Sequence, residues 1–117
     1  MLQMLTDTRL RIDWPTMMIV AFDDRAAAGL SRVLDAAMFK VVREPSLAHA
    51  TENMMQSMPH VIVVGDDARA SSDHAAFAER AAAIGAEIVV VTNASASEDV
   101  RLHLCRAADK ALARRAG

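Results

Sequence analysis

Apolar residues fall into two kinds of run along this chain. Short continuous runs, Met17–Phe22, Phe39–Val42, Val61–Val64 and Ile88–Val91, alternate with longer Ala-rich stretches whose apolar residues recur every three or four positions. The continuous runs read as strands buried on both faces, and the periodic stretches as the helices that cover them. Asp24 is placed as the cap of a first helix, with Leu30, Val33, Leu34, Ala37 and Met38 as its stripe. Ser46 caps a second helix, which carries Leu47, Ala50, Met54 and Met58 on one side and stops at Pro59. A third begins at Ser72, buries Phe77, Ala81 and Ile84, and is closed by Gly85. Ser95 and Glu98 have capping-box spacing ahead of a fourth, with Val100, Leu104 and Ala108. With right-handed crossovers, this alternation predicts an α/β fold: a doubly wound parallel sheet in three layers. His60–Val64 is the purest apolar run and belongs at the centre. Lys40 interrupts Phe39–Arg43 and marks an edge strand. Residues 1–15 read as a leader with Leu2, Leu5, Leu10, Ile12 and Trp14. Trp14-Pro15 separates it from the domain at 16–117, because the residue before proline is pushed out of the helical region.

Composition narrows the class. A chain of 117 residues suits one domain, and 53% hydrophobic residues argue against disorder. Aromatics are only 3%, so Ala, Val, Ile, Leu and the 8 Met must fill the core. A formal charge of −2 gives no basic footprint for nucleic acid. Cys105 is the single cysteine. It excludes an internal disulfide, suits a reducing cytoplasm and reads as a core residue. Arg9, Arg11, Asp7 and Asp13 interrupt the leader, so it does not read as a signal peptide. No run reaches the roughly 20 apolar residues of a membrane span. His49, His60, His74 and His103 lack metal-ligand spacing. Met54, Met55 and Met58 read as core and rim. Gly-rich nucleotide loops and a Gly-x-Ser-x-Gly elbow are absent, and no enzymatic activity is expected.

The candidate chemistry lies at the strand ends. The first run leads into Asp23 and Asp24, the second into Arg43 and Glu44, the third into Gly65, Asp66 and Asp67, and the fourth into Thr92. In parallel sheets the carboxyl ends of the strands form the site. With "IVAFDD", "PHVIVVGDD", "EIVVVT" and "CRAADKALARR", residues 17–115 resemble the receiver domains of two-component response regulators. The resemblance implies a five-stranded sheet of order 2-1-3-4-5, with the fifth helix short or missing. Ala111–Ala113 read either as a short fifth strand or as the end of the fourth helix, and the resemblance selects the strand. It also implies Asp23 and Asp24 as an acidic Mg²⁺ pocket, Asp66 as phospho-acceptor, Thr92 as switch hydroxyl and Arg114 as the phosphate contact. In such a site a carboxylate attacks phosphorus while metal and cation neutralise the phosphoryl oxygens.

The departures are specific. Aligned by the first strand, the acid pair of the family falls on Ala21 and Phe22. Aligned by Pro59-His60, the acceptor position falls on Gly65. A one-residue slip on a strand turns a side chain to the opposite face, although a loop beyond the strand end leaves Asp66 freedom to swing in. Arg114 stands for the family lysine, and its planar fork grips phosphate differently. The bland alternatives are a helix cap and dipole acid at Asp23 and Asp24, a polar loop start at Asp66, and a solvated Arg114. The expected function is therefore a pseudo-receiver in phosphorelay signalling, with weak Mg²⁺ binding and weak or absent phosphorylation. Its partner would be a histidine kinase or a downstream effector, with neither nucleic acid nor membrane involved. An active Mg²⁺-dependent receiver using Asp66 is the first alternative. A flavodoxin-like small-molecule-binding domain is the second, though the acids of "DDRAAAG" would repel phosphate. Without a fifth helix, one face of the sheet would be half bare, and the leader or a second copy in a homodimer is expected to cover it.

Overall fold

The structure is a computed structural model that describes residues 14–65, 71–91 and 98–116. Strands and helices alternate: β1 (Thr16–Val20), α1 (Asp24–Ala36), β2 (Lys40–Glu44), α2 (Leu47–Ser57), β3 (Val61–Gly65), α3 (His74–Ala83), β4 (Glu87–Val91) and α4 (Glu98–Ala116). The sheet is parallel throughout, in the order β2-β1-β3-β4. β1 and β3 are central, and every residue of Thr16–Val20 and Val61–Val64 is buried. Val63 is fully buried at the middle of the sheet, as its apolar run predicts. β2 lies at an edge, with Lys40 and Arg43 exposed.

Strand alternation sends side chains to two separate cores. Met17, Ile19, Val61, Val63, Val89 and Val91 pack beneath Leu30 and Leu34 of α1 and Leu104 of α4. Met18, Val20, Ile62 and Val64 pack beneath Leu47 and Met54 of α2 and Phe77 of α3. The three-layer arrangement expected from sequence is therefore present with two helices on each face. It differs in its last element. Ala111–Ala113 lie inside α4 and form no fifth strand. Ala111 is fully buried, and Ala107 and Ala108 pack beside it on the face that α1 covers. The face expected to be half bare is thus covered from within the chain, which removes the reason for assigning its cover to the leader or a second copy. Leu2, Leu5, Leu10 and Ile12 lie outside the described residues, as does Ser95 of the expected capping box.

Left-handed residues end the first three helices. At α1 the N–H of Phe39 donates to Leu34 O and that of Met38 to Asp35 O, with Met38 at φ 69°. At α3 the N–H of Ala86 donates to Ala81 O and that of Gly85 to Ala82 O, with Gly85 at φ 73°. Both are Schellman ends, and glycine is the residue such an end favours. Met58 ends α2 at φ 47°, and Pro59 follows it. α3 begins later than its sequence suggests: Asp73 precedes it, and Ser71 rather than Ser72 supplies the local hydrogen bonds.

The amino end of the sheet is tied together by the last turn of α4. The Arg115 guanidinium donates to Ile84 O, to Met58 O at 3.0 Å and to Pro59 O. These carbonyls lie at the ends of α3 and α2, where helix geometry leaves acceptors without partners. Beside them, the Thr16 N–H donates to His60 Nδ1 at 3.1 Å. That bond requires Nδ1 to be unprotonated. Burial lowers the His60 pKa below its ordinary 6.5, and the Arg115 charge lowers it further.

Two expectations follow. Between the ordinary histidine pKa and the lowered folded value, the unfolded chain binds more protons than the folded one. The stability from neutral His60 is therefore complete above about pH 6.5 and lost as pH falls toward the folded value. Thermal melting from about pH 7 to about pH 5 should show a falling midpoint, and His60→Asn should flatten that slope. A slope unchanged by His60→Asn would assign it to other groups. Met38 is 62% exposed, so removing its side chain opens no cavity. Met38→Gly should stabilise the domain by about 1 kcal/mol, because a non-glycine residue in the left-handed region costs about that much. Chemical denaturation would read the gain, and a loss would refute the strain.

Candidate functional site

The polar strand ends gather at the carboxyl edge of the sheet. β1 stops at Ala21, whose φ of 63° is left-handed and whose N–H donates to Glu44 O at 2.9 Å. This turn carries the chain over the end of β2 and delivers Phe22, Asp23 and Asp24 to the mouth of a cleft. Ile19, Ala27, Arg43, Glu44 and Pro45 complete the lining, and the cleft holds about 640 Å³. A smaller cavity of about 260 Å³ adjoins it at Ala21 and Pro45 and is also lined by Ser46, Gly65, Ser71 and Asp73. The N-termini of α1, α2 and α3 all open toward this end, as right-handed parallel crossovers require. An alanine in the left-handed region at a site rim is a strained position that the surrounding bonds must hold.

Four polar side chains at this end, Asp23, Asp24, Glu44 and Ser46, have visible roles. Asp23 is the N-cap of α1, its Oδ1 accepting from the Ala26 N–H at 2.8 Å. Sequence reasoning placed the cap one residue later, at Asp24. Asp24 instead lies in the first turn of α1, fully exposed, and pairs with Arg43 Nη2 at 2.9 Å. Ser46 caps α2 as expected: its Oγ accepts from the His49 N–H and lies 2.8 Å from His49 Nδ1. The Glu44 carboxylate accepts from Asn53 Nδ2 at 3.1 and 3.3 Å. Gly65 closes β3 beside Phe22; a Cβ at this position would sit 3.8 Å from Phe22 Cε1, an ordinary contact. The two aspartates thus take the places of the bland reading, a helix cap and an acid in the first turn, to which the structure adds the Arg43 pair, and one oxygen of Asp23 has no bond within the described residues. Among the described residues, no group of three His, Cys, Asp or Glu side chains is placed to hold a metal ion.

Of the other candidates, Asp66 and Thr92 lie outside the described residues, as does Asp67. Arg114 is described, and it is not at the site. Its guanidinium bonds Gly85 O and the Glu87 carboxylate, at the amino end of β4. The whole length of the sheet separates it from Asp23 and Asp24. The cause is the helical course of Ala111–Ala113, which carries the chain back toward the amino end. The cation present at the cleft is Arg43, on β2. Its place in the sequence, directly after an apolar run, identified a strand end but gave no sign of its partner.

The cap should dominate the local energetics. Asp23→Ala should cost about 1 kcal/mol of stability and Asp23→Ser much less, since serine retains a capping oxygen. Asp24→Asn should change stability by no more than about 0.5 kcal/mol, because exposed ion pairs contribute little. Denaturant titration of the three variants would test this, and a larger loss at Asp24 would make the Arg43 pair the organising contact. In comparison with known proteins, no family model matches the chain and no curated protein matches it significantly.

Proposed function

We propose that the domain is a receiver-like interaction module in two-component or phosphorelay signalling. It is non-catalytic and cytoplasmic, and engages a histidine kinase or a downstream effector without depending on phosphorylation. The observation that carries this reading is the condition of the acid pair. Asp23 is committed to a helix cap and Asp24 to Arg43, while Arg114 is anchored at the opposite end of the sheet. Phosphoryl transfer to a carboxylate needs a metal and a cation converging on the transferred group. The resemblance at the strand ends supports the receiver-like part, and so does the parallel order β2-β1-β3-β4. The one free cysteine, Cys105, agrees with a reducing compartment. Among the described residues no helix is long and apolar enough to cross a membrane.

A small-molecule-binding reading has one observation in its favour, the cleft of about 640 Å³ with Phe22 in its wall. That size is within the range of ligand sites. The acids at its mouth disfavour phosphorylated ligands, which limits the reading to neutral or cationic molecules.

The deciding experiment is intact mass measurement after incubation with Mg²⁺ and acetyl phosphate. The wild-type chain should remain unmodified. Gly65→Asp, which restores a carboxylate at the aligned acceptor place, should fold and also remain unmodified, because the cation at the cleft, Arg43, is paired with Asp24 and not directed at a transferred group. Stoichiometric phosphate on the wild-type chain, lost in Asp66→Asn, would establish the active receiver instead. An absorbing molecule retained through purification would favour the small-molecule reading.

A further inference from the structure

The outer edge of β4 carries features that the cleft does not use. Glu87 N–H donates to His60 O, so Glu87, and with it Val89 and Val91, turns its backbone polar groups toward β3. Successive residues of a strand present these groups to opposite sides. Ile88 and Val90 therefore direct their N–H and C=O groups outward, where no strand pairs with them among the described residues. The strand reads Glu-Ile-Val-Val-Val, without the proline, lysine or bulge by which edge strands are usually guarded.

The two helices that flank this edge differ in character. α4 lies over β4 and runs antiparallel to it, with Leu104, Ala108 and Ala111 against the sheet. Its flank toward α1 is the more buried one, with Arg101 and Cys105 half-buried. Its other flank, placed on the β4 side by the bonds of Arg114 to Gly85 O and the Glu87 carboxylate, is basic: His103, Arg106, Lys110 and Arg114 follow one another at helical spacing, all exposed. Arg114 is paired with Glu87, whereas Arg106 and Lys110 have no carboxylate partner among the described residues. On the opposite face, Arg80 of α3 reaches Thr51 O of α2, which turns Ala78 and Ala82 toward the edge side. Ile88 and Val90 are themselves only half-buried.

We infer that the β4 edge binds an extended acidic segment of a partner protein as an added strand, with alternate carboxylates facing Arg106 and Lys110 of α4 and the intervening apolar residues resting beside Ile88 and Val90. Backbone pairing supplies affinity in such strand addition, and the alternating side chains supply selectivity. A second copy of this chain is the less suitable occupant. Two-fold pairing of β4 with itself would bring the two basic flanks together, and like charges across an interface oppose association. The edge is distinct from the carboxyl-end cleft, so the inference stands or falls independently of phosphorylation.

Fluorescence anisotropy with a fluorescein-labelled Glu-Val-Glu-Val-Glu-Val-Glu peptide tests it on the full chain. The peptide should bind, with affinity falling as salt is raised. The same peptide with Lys in place of Glu should not bind. The double variant Arg106→Glu, Lys110→Glu should weaken binding by about tenfold or more, since it turns two attractions into repulsions. These are exposed helix positions, and unchanged thermal melting would show that the variant is folded. A pair of N-methylated peptides keeps the test independent of any effect on the protein. Methylation of the Glu nitrogens or of the Val nitrogens should abolish binding in one case and spare it in the other, because an added strand turns alternate N–H groups toward β4. Equal binding of the Lys peptide, equal binding of both methylated peptides, or no binding of the Glu peptide would overturn the inference. So would sedimentation as a dimer that the peptide does not dissociate, since the edge would then belong to a second copy.

Discussion

Burial of β1 and β3 on both faces is the constraint from which the rest of the arrangement follows. Met17 and Ile19 point one way, Met18 and Val20 the other, and all four are essentially inaccessible to solvent. A sheet with this double apolar character is stable only if both faces are covered. α2 and α3 follow the right-handed rule and share one face. α1, whose crossover runs in the opposite direction along the sheet, takes the other. One helix alone cannot cover β3 and β4 on that second face. Among the described residues α4 connects to no further strand, and it packs where apolar surface from Val61, Val63, Val89 and Val91 would otherwise meet water. The helical state of Ala111–Ala113 is the consequence. A strand there would bind α4 to the face already covered and leave the other exposed.

This placement also determines the two ends of the sheet. α4 brings Arg114 and Arg115 to the amino end, where Arg115 satisfies carbonyls from the ends of α2 and α3. Three segments distant in sequence are thereby joined through one guanidinium, whose fork of fixed donors suits a cluster of carbonyls. The amino end is accordingly a structural junction. The carboxyl end is left with helix N-termini, short polar side chains and the strained Ala21, an arrangement open to a ligand or partner. Removing Arg114 from that end changes its chemistry, because the acids there meet Arg43 from an edge strand in place of a cation directed at a transferred group.

Much of the fold was legible in the residues. Four apolar runs, one of them interrupted by Lys40, correspond to the four strands of the described residues, and the stripe of Leu30 and Leu34, the cap at Ser46 and the stop at Gly85 are where periodicity and turn chemistry placed them. Lys40 marked an edge strand correctly. These signals are local, because a strand buried on both faces requires apolar residues at successive positions and a helix end requires particular backbone conformations. The position of the acid pair at the end of β1 was legible for the same reason. Its roles were not: Asp23 rather than Asp24 took the cap, a difference of one residue that local spacing does not resolve.

Tertiary structure alone decided what depends on residues far apart in sequence. Ala111–Ala113 suit a short strand or a helix by composition. The uncovered face of the sheet chose the helix, and with it the far placement of Arg114. Nothing near Arg115 in the chain announces carbonyls contributed from Met58 and Ile84. Nothing near Asp24 announces Arg43. The sequence by itself determined which segments are strands and helices and that the polar groups collect at strand ends, since those outcomes follow from periodicity and chain direction. Which charges meet, and at which end of the sheet, was decided by the need to bury both of its faces.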